Sequence, residues 1–292
     1  METNLRQSKT AVNIEGILSS MNLEETTTPN GGKAIKGNLV IKVDDTNSIS
    51  VGVYCAEMTS AGEKNKAYDG IMTVKNEYKS IAEVGEEAAD RIHTKADFNT
   101  YRNQENKDIV NYKSNFFTRV TRELKPQRTF KCEAFISFKD WEYDSDDNKT
   151  GRLKVTGIVP GYNGTINILN MICPVSSEFD ENFAEDADNL FEVGQTYELN
   201  GEIVNARVEK KKQAALGQLQ SEVSYKNELI ITGSGNAYPE ETAYSAEAIK
   251  LAITEYETTQ KQNRDKASSS KDDLSFGNNK PSAAGSGRTM NF

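Results

Sequence analysis

The hydrophobic pattern of this chain comes in short stretches of period two, separated by turn-forming clusters. From Ala11, AVNIEGILSSMNLEETTT contains β-compatible runs, and Pro29-Asn30-Gly31-Gly32 separates it from AIKGNLVIKV. Asp44-Asp45-Thr46-Asn47 then leads into SISVGVYCAEMT, where Ile49, Val51, Val53 and Cys55 alternate with Ser50, Gly52 and Tyr54, the signature of a strand with one buried face. In NEYKSIAEVG, Tyr78, Ile81 and Ala82 fall at helical spacing and Gly85 stands where a C-cap belongs, so a short helix is expected there. A strand from Ala89 to Tyr101, a polar turn at Asn103 to Asp108 and a fifth strand in IVNYKSNFFTRVTR complete the first half.

The second half repeats this order. Phe130 to Tyr143 alternates, the acidic turn DSDDNKTG leads to RLKVTGIVPGY, Asn163-Gly164 signals a hairpin, and TINILNMICP is the third strand. ENFAEDADNLF reads as a helix, followed by the strand QTYELNGEIVNARV, a polar loop with Lys210, Lys211 and Lys212, and the strand ELIITG. Glu-Val-Gly recurs at residues 83–85 and 192–194, between helix and fourth strand in both halves. Three strands, a helix and two strands, given twice, predict a mainly β protein of two tandem five-stranded Greek-key barrels of the OB-fold type. The expected domains are 11–126 and 127–261, the second including a terminal helix from Ser245 to Lys261 with Ala248, Ile249, Ala252, Ile253 and Tyr256 on one face. Residues 262–292, rich in Ser, Gly, Asn and Lys, are expected to form a flexible tail.

Charge changes the picture. The formal net charge is −9, yet Tyr101 to Lys131 carries Arg102, Lys107, Lys113, Arg119, Arg122, Lys125, Arg128 and Lys131 against Glu105, Asp108 and Glu123. Tyr101, Tyr112, Phe116, Phe117 and Phe130 are interleaved with these charges. Cations that pair with phosphates and flat rings that stack on bases are the requirements of a single-stranded nucleic-acid surface. On an OB barrel that surface lies over strands two and three, where Lys33, Lys36, Lys42 and Tyr54 fall, flanked by a loop with Lys64, Lys66 and Tyr68. Tyr101, Arg102, Tyr112, Lys113, Arg119 and Arg122 are added from the basic stretch, with Arg152 and Lys154 from the second barrel. The first barrel is expected to dominate, because the region from Cys132 to Asn200 is acidic. Tyr54, Tyr68, Tyr101 and Tyr112 are preferred as stacking rings over Phe116 and Phe135, since phenylalanine is more often core.

Other chemistry has little support. His93 is the one histidine, and no phosphate-binding glycine motif or zinc-protease motif occurs. Cys55, Cys132 and Cys173 are odd in number and widely spaced, which favours neither a disulfide framework nor a zinc site. Asp144, Asp146 and Asp147 lack the glycine and closing glutamate of a calcium loop. No leader-like or membrane-spanning run occurs, so the reading is a cytoplasmic, non-enzymatic protein with no cofactor or metal.

On VNIEGILSS, KAIKGNLVIKVDD, VGVYCAEMT, TGRLKVTGIVPGYNGTINIL, ELIITGSGNAY and DDLSF, the chain resembles phage-encoded single-stranded DNA-binding proteins of viruses of Gram-positive bacteria. The resemblance implies coating and protection of single-stranded DNA, with slight sequence preference, during phage replication or recombination in the host cytoplasm. The alternative is an accessory or structural phage protein whose barrels mediate protein contacts. Asp272, Asp273, Leu274 and Phe276 are similar to the acidic tip through which bacterial single-stranded DNA-binding proteins dock replication and recombination partners. Ser275 stands where that tip has proline, and residues 277–292 follow it.

Overall fold

A computed structural model describes residues 5–212 and 220–272. The first barrel begins with β1 (Ala11–Thr27), β2 (Lys33–Lys42) and β3 (Ser48–Ala56), an antiparallel meander. Helices α1 (Lys66–Glu77) and α2 (Ile81–Val84) lead to β4 (Arg91–Arg102), β5 (Asp108–Lys113) and β6 (Phe117–Arg119). β5 runs parallel to β3, and β4 returns antiparallel to the first half of β1, which closes the barrel. β1 can pair with β4 and then β2 because it bends at a bulge between Leu18 and Ser20. At Gly16, next to the bend, an added Cβ would lie 2.3 Å from Lys42 O, so the close strand approach admits only glycine.

The second barrel repeats the topology with β7 (Gln127–Tyr143), β8 (Lys149–Pro160), β9 (Ile166–Cys173), α3 (Phe183–Leu190), β10 (Thr196–Lys212) and β11 (Gln220–Ser234). β11 is parallel to β9 and β10 closes on β7. Both halves therefore have the strand connectivity of an OB-fold. The two glycines of the echoed Glu-Val-Gly share a positive φ, 82° at Gly85 and 96° at Gly194, but Gly85 caps α2 whereas Gly194 lies in a turn beyond α3, which Phe191 caps.

β1 also pairs with β7, from Ala11 opposite Lys131 to Glu15 opposite Gln127, so the barrels share one 11-stranded sheet. A loop of the first barrel grips β10: Asn205 N donates to Asn47 Oδ1 at 3.1 Å, and Arg207 N to Thr46 O at 3.1 Å. Asp44 organises that loop by accepting from Thr46 N, Asn47 N and Asn47 Nδ2. Although burial alone would raise its pKa, these bonds lower Asp44 from 3.8 to about 2.

Several elements differ from the sequence reading. α1 was expected to be loop; Asn65 caps it, accepting from Ala67 N, and Tyr68, Ile71 and Val74 enter the core despite the interrupting Gly70. The expected fifth strand is two, because the chain leaves β3 after Lys113 and rejoins β4 at Phe117. β10 and β11 extend through most of the expected polar loop as a two-stranded ribbon, and its polar sequence gives no apolar alternation to detect. α4 (Ala246–Asp272) continues past Lys261. Its Ile249, Ala252 and Tyr256 cover Phe135, Ile158, Ile166 and Ile168 of the second barrel, and it also reaches the first, where Tyr256 OH donates to Asp108 Oδ1 at 3.1 Å. No described helix is long and apolar enough to cross a membrane.

Candidate nucleic-acid interface

The outward positions of β2, β3, β5 and β4 lie in register across one face of the first barrel. Lys36 is opposite Tyr54. One pleat further, Asn38, Gly52, Lys113 and Asp97 form a row across four strands. In the next row Val40 is opposite Ser50, and Asn111 opposite Asn99. Val51, Val53, Cys55 and Tyr112 point into the core between them, so the pleat directs Lys36, Tyr54 and Lys113 to solvent.

On this face Tyr54 is 53% exposed and Tyr101, opposite Ile109, is 41% exposed; Phe116, in the loop between β5 and β6, is 69% exposed. Asn115 Nδ2 donates to Tyr54 O at 2.9 Å, and Phe116 O accepts from Thr94 Oγ1 at 2.7 Å, so the backbone holding Tyr54 and Phe116 is fixed. Beside Tyr54, a Cβ on Gly52 would meet Tyr112 O at 3.6 Å and Lys113 Cγ at 3.7 Å, which is ordinary contact. The fold does not demand glycine there; its effect is a flat floor next to the ring. Among the described residues, Lys36 and Lys113 form no ion pair, nor do Lys33 and Lys66 at the Ala56 end of β3. These ammonium groups are available to phosphates.

The face continues onto the second barrel. Ser50 and Asn111 share a cleft of about 280 Å³ with Asn170, Asn205 and Asn227. From Asn170 the register runs through Thr156 to Phe138, whose ring is 52% exposed, and Lys154 lies in the adjacent row between Asp140 and Ile172. Thus a path leads from Lys36 and Tyr54, past Lys113 and the cleft, to Phe138.

The profile of the YorF family matches residues 9–269. The chain belongs to the YorF family. Among solved structures it is similar to the wild-type single-stranded DNA binding protein from Thermus aquaticus, with 12% identity and a TM-score of 0.49 over 80% of this chain and 95% of that one. A deletion mutant of the single-stranded DNA binding protein from Thermus aquaticus also aligns, with 12% identity and a TM-score of 0.40 over 81% of this chain and 100% of that one. No curated protein matches.

In this YorF-family protein several expected contact residues are committed elsewhere. Tyr68 and Tyr112 are buried, and burial pushes the Tyr112 hydroxyl pKa up, so neither ring can stack on a ligand. Arg122 pairs through both terminal nitrogens with Glu15, a fully buried carboxylate whose pKa the guanidinium lowers. Arg119 pairs with Asp90 at 2.9 Å and lies 4.3 Å over the Tyr78 ring. Arg102 binds Asp108 and Glu257 at the junction of the barrels, and Arg152 binds Glu142 and Glu228. Lys42 is held by Glu86, and Lys64 by Asp69. The basic stretch is therefore largely a set of internal ion pairs, formed where acidic partners distant in sequence come within reach. Lys33, Lys36, Tyr54, Lys66, Lys113 and Lys154 remain outward, as does Tyr101, which is opposite Ile109 on β5.

Phe116, ranked below the tyrosines as a stacking ring, is exposed, and so is Phe138, which the strand alternation would place inside. Phe138 follows a register shift after Ile136, which reverses the inward parity of Phe130, Cys132, Ala134 and Ile136. Tyr225, 71% exposed and opposite Arg207 on the ribbon, was hidden in the expected loop. The side chains of Lys210 to Lys212, and all of Asp273, Leu274 and Phe276, lie outside the described residues; Asp272 is described only as the last residue of α4.

Proposed function

We propose that this protein binds single-stranded DNA without catalysis, coating and protecting exposed strands during phage replication or recombination in the bacterial cytoplasm. The observation that carries the reading is the face of the first barrel, where exposed Tyr54 stands beside the Gly52 floor, Phe116 is exposed in the loop after β5, and Lys36 and Lys113 form no ion pair among the described residues. Rings of this kind stack on any base, and ammonium groups pair with the backbone, which gives affinity with little sequence preference. The flat, open face accommodates unpaired bases, whereas a duplex presents its bases stacked inside. The acidic tail segment around Asp272 and Asp273 would then offer replication or recombination proteins a tethered contact, tested by pull-down with a chain ending before Asp272.

Fluorescence anisotropy with labelled oligonucleotides tests the reading. Single-stranded DNA is expected to bind more tightly than duplex of the same length, with a site of about 10–20 nucleotides if both barrels engage. Equal or tighter duplex binding refutes it, and tighter binding to RNA reassigns the strand.

A further inference from the structure

The cleft between the barrels differs from both faces it joins. Its polar lining residues include Asn111, Asn170, Asn205 and Asn227, together with the acidic Asp108 and Glu228. Asn205 and Asn227 are cross-strand partners on the ribbon, while Asn111 and Asn170 come from β5 and β9 on opposite barrels. Asn170 Oδ1 accepts from Thr156 Oγ1 at 3.0 Å; among the described residues the side-chain amides of Asn111, Asn205 and Asn227 have no hydrogen-bond partner. Glu228 is anchored by Arg152 at 2.6 Å and Lys226 at 3.1 Å, which holds its carboxylate in place. The barrels are joined beside the cleft through Asn47 and Asn205 N, which fixes the distance between its walls.

We infer that this cleft is a base-reading pocket: it receives one nucleobase of a strand crossing from Tyr54 to Phe138 and favours a base with an exocyclic amino group. The inference rests on the reading of the barrel faces as a single-strand path. A cleft of about 280 Å³ has room for one base with space to spare. A carboxamide offers a donor and an acceptor side by side, the arrangement that pairs with adenine edges, and a carboxylate accepts from the cytosine amino group. Glu228 has no donor, so it finds no partner at the carbonyl O4 of thymine, whereas adenine and cytosine each present an amino group to it. The rings at the ends of the path tolerate every base; discrimination enters at one position between them.

The experiment uses the full chain and a thymine oligonucleotide of about 20 residues, a length set by the site size expected of two barrels. A single cytosine or adenine is placed at each position in turn, with the strand held in one register by crosslinking its 5′ end to a cysteine introduced at Ser60, an exposed residue in the loop after β3. One or two adjacent positions are expected to gain about 5-fold or more in affinity, the lower end of what a good side-chain pair to a base edge discriminates. Asn111→Ala and Asn227→Ala, both at exposed positions, should abolish that positional gain and leave the melting temperature unchanged, with any loss of affinity for the all-thymine strand the same whichever position carries the substituted base. Tight binding with a flat positional profile overturns the pocket and leaves the proposed function standing. A positional gain that survives both substitutions also overturns it, placing discrimination elsewhere. No binding to any single strand overturns the proposed function itself.

Discussion

The two barrels share a topology and differ in what they turn outward. Taking the parallel pairs Gly52–Lys113 and Ile172–Ile230 as equivalent, Lys36 of the first barrel corresponds to Arg152 of the second, and Lys42 and Ser48 to Ile158 and Ile168. Lys36 forms no ion pair among the described residues, whereas Arg152 is held between Glu142 and Glu228. The floor and cation of the first barrel are replaced by two isoleucines, and α4 covers the region equivalent to Lys42 and Ser48. Inward positions keep the same parity in both barrels, since Val51 and Tyr112, like Met171 and Leu229, are buried. The fold is thus specified by the inward half of each strand, and the outward half is free to make one barrel a cationic, aromatic face and the other a docking surface for the chain's own helix.

The comparison can be broken most forcefully within the first barrel, where one tyrosine, Tyr112, is buried and another, Tyr54, is exposed. Tyr112→Ala should cost about 3–5 kcal/mol of stability in urea denaturation, as large-to-small changes of buried rings do, because the ring is buried against Phe98. Tyr54→Ala and Phe116→Ala should leave that curve in place and instead weaken single-strand binding by about 1–3 kcal/mol each. Phe138→Ala, on the barrel with fewer unpaired cations among the described residues, is expected at the low end of that range. If Phe138 proves more costly than Tyr54, the first barrel does not dominate.

Charge sharpens the comparison through the salt dependence. With about four to six phosphate contacts, log K against log salt should have a slope near −3 to −4, and Lys36→Ala with Lys113→Ala should reduce its magnitude by about 1.4. Arg119→Ala and Arg122→Ala, which remove partners of Asp90 and Glu15, should lower the melting temperature and leave the slope unchanged. A slope that responds to Arg122 but not to Lys113 would move the site to the other side of the barrel.

The smallest effect concerns the junction. The folded-state pKa of Asp44 is lowered from 3.8 to about 2, so its contribution is fully present above 3.8 and is lost as pH falls through about 2. Its side chain is 40% exposed, and with solvent screening the contribution is about 1 kcal/mol. Asp44→Asn should remove this part of the acid dependence of stability; an unchanged acid limb between pH 4 and 2 would show that the loop does not depend on the charge.

The sequence by itself determined the repeated element order, because strand alternation, turn residues and the two positive-φ glycines of Glu-Val-Gly are local features that need no partner to be recognised. It also placed Lys36 and Tyr54 on the outward side of β2 and β3, since a strand with one buried face fixes the other. Only the tertiary structure decided which cations remain available: Glu15 and Arg122 lie far apart in sequence, and nothing local to either announces that one will cancel the other. It also decided that Tyr112 is core while Phe116 is surface, because the chain breaks between β5 and β6 and an alternation carried through the break assigns the wrong parity. The cleft belongs wholly to that second class: its asparagines come from separate strands of both barrels, and a carboxamide acquires a role only from the groups that long-range pairing brings to face it.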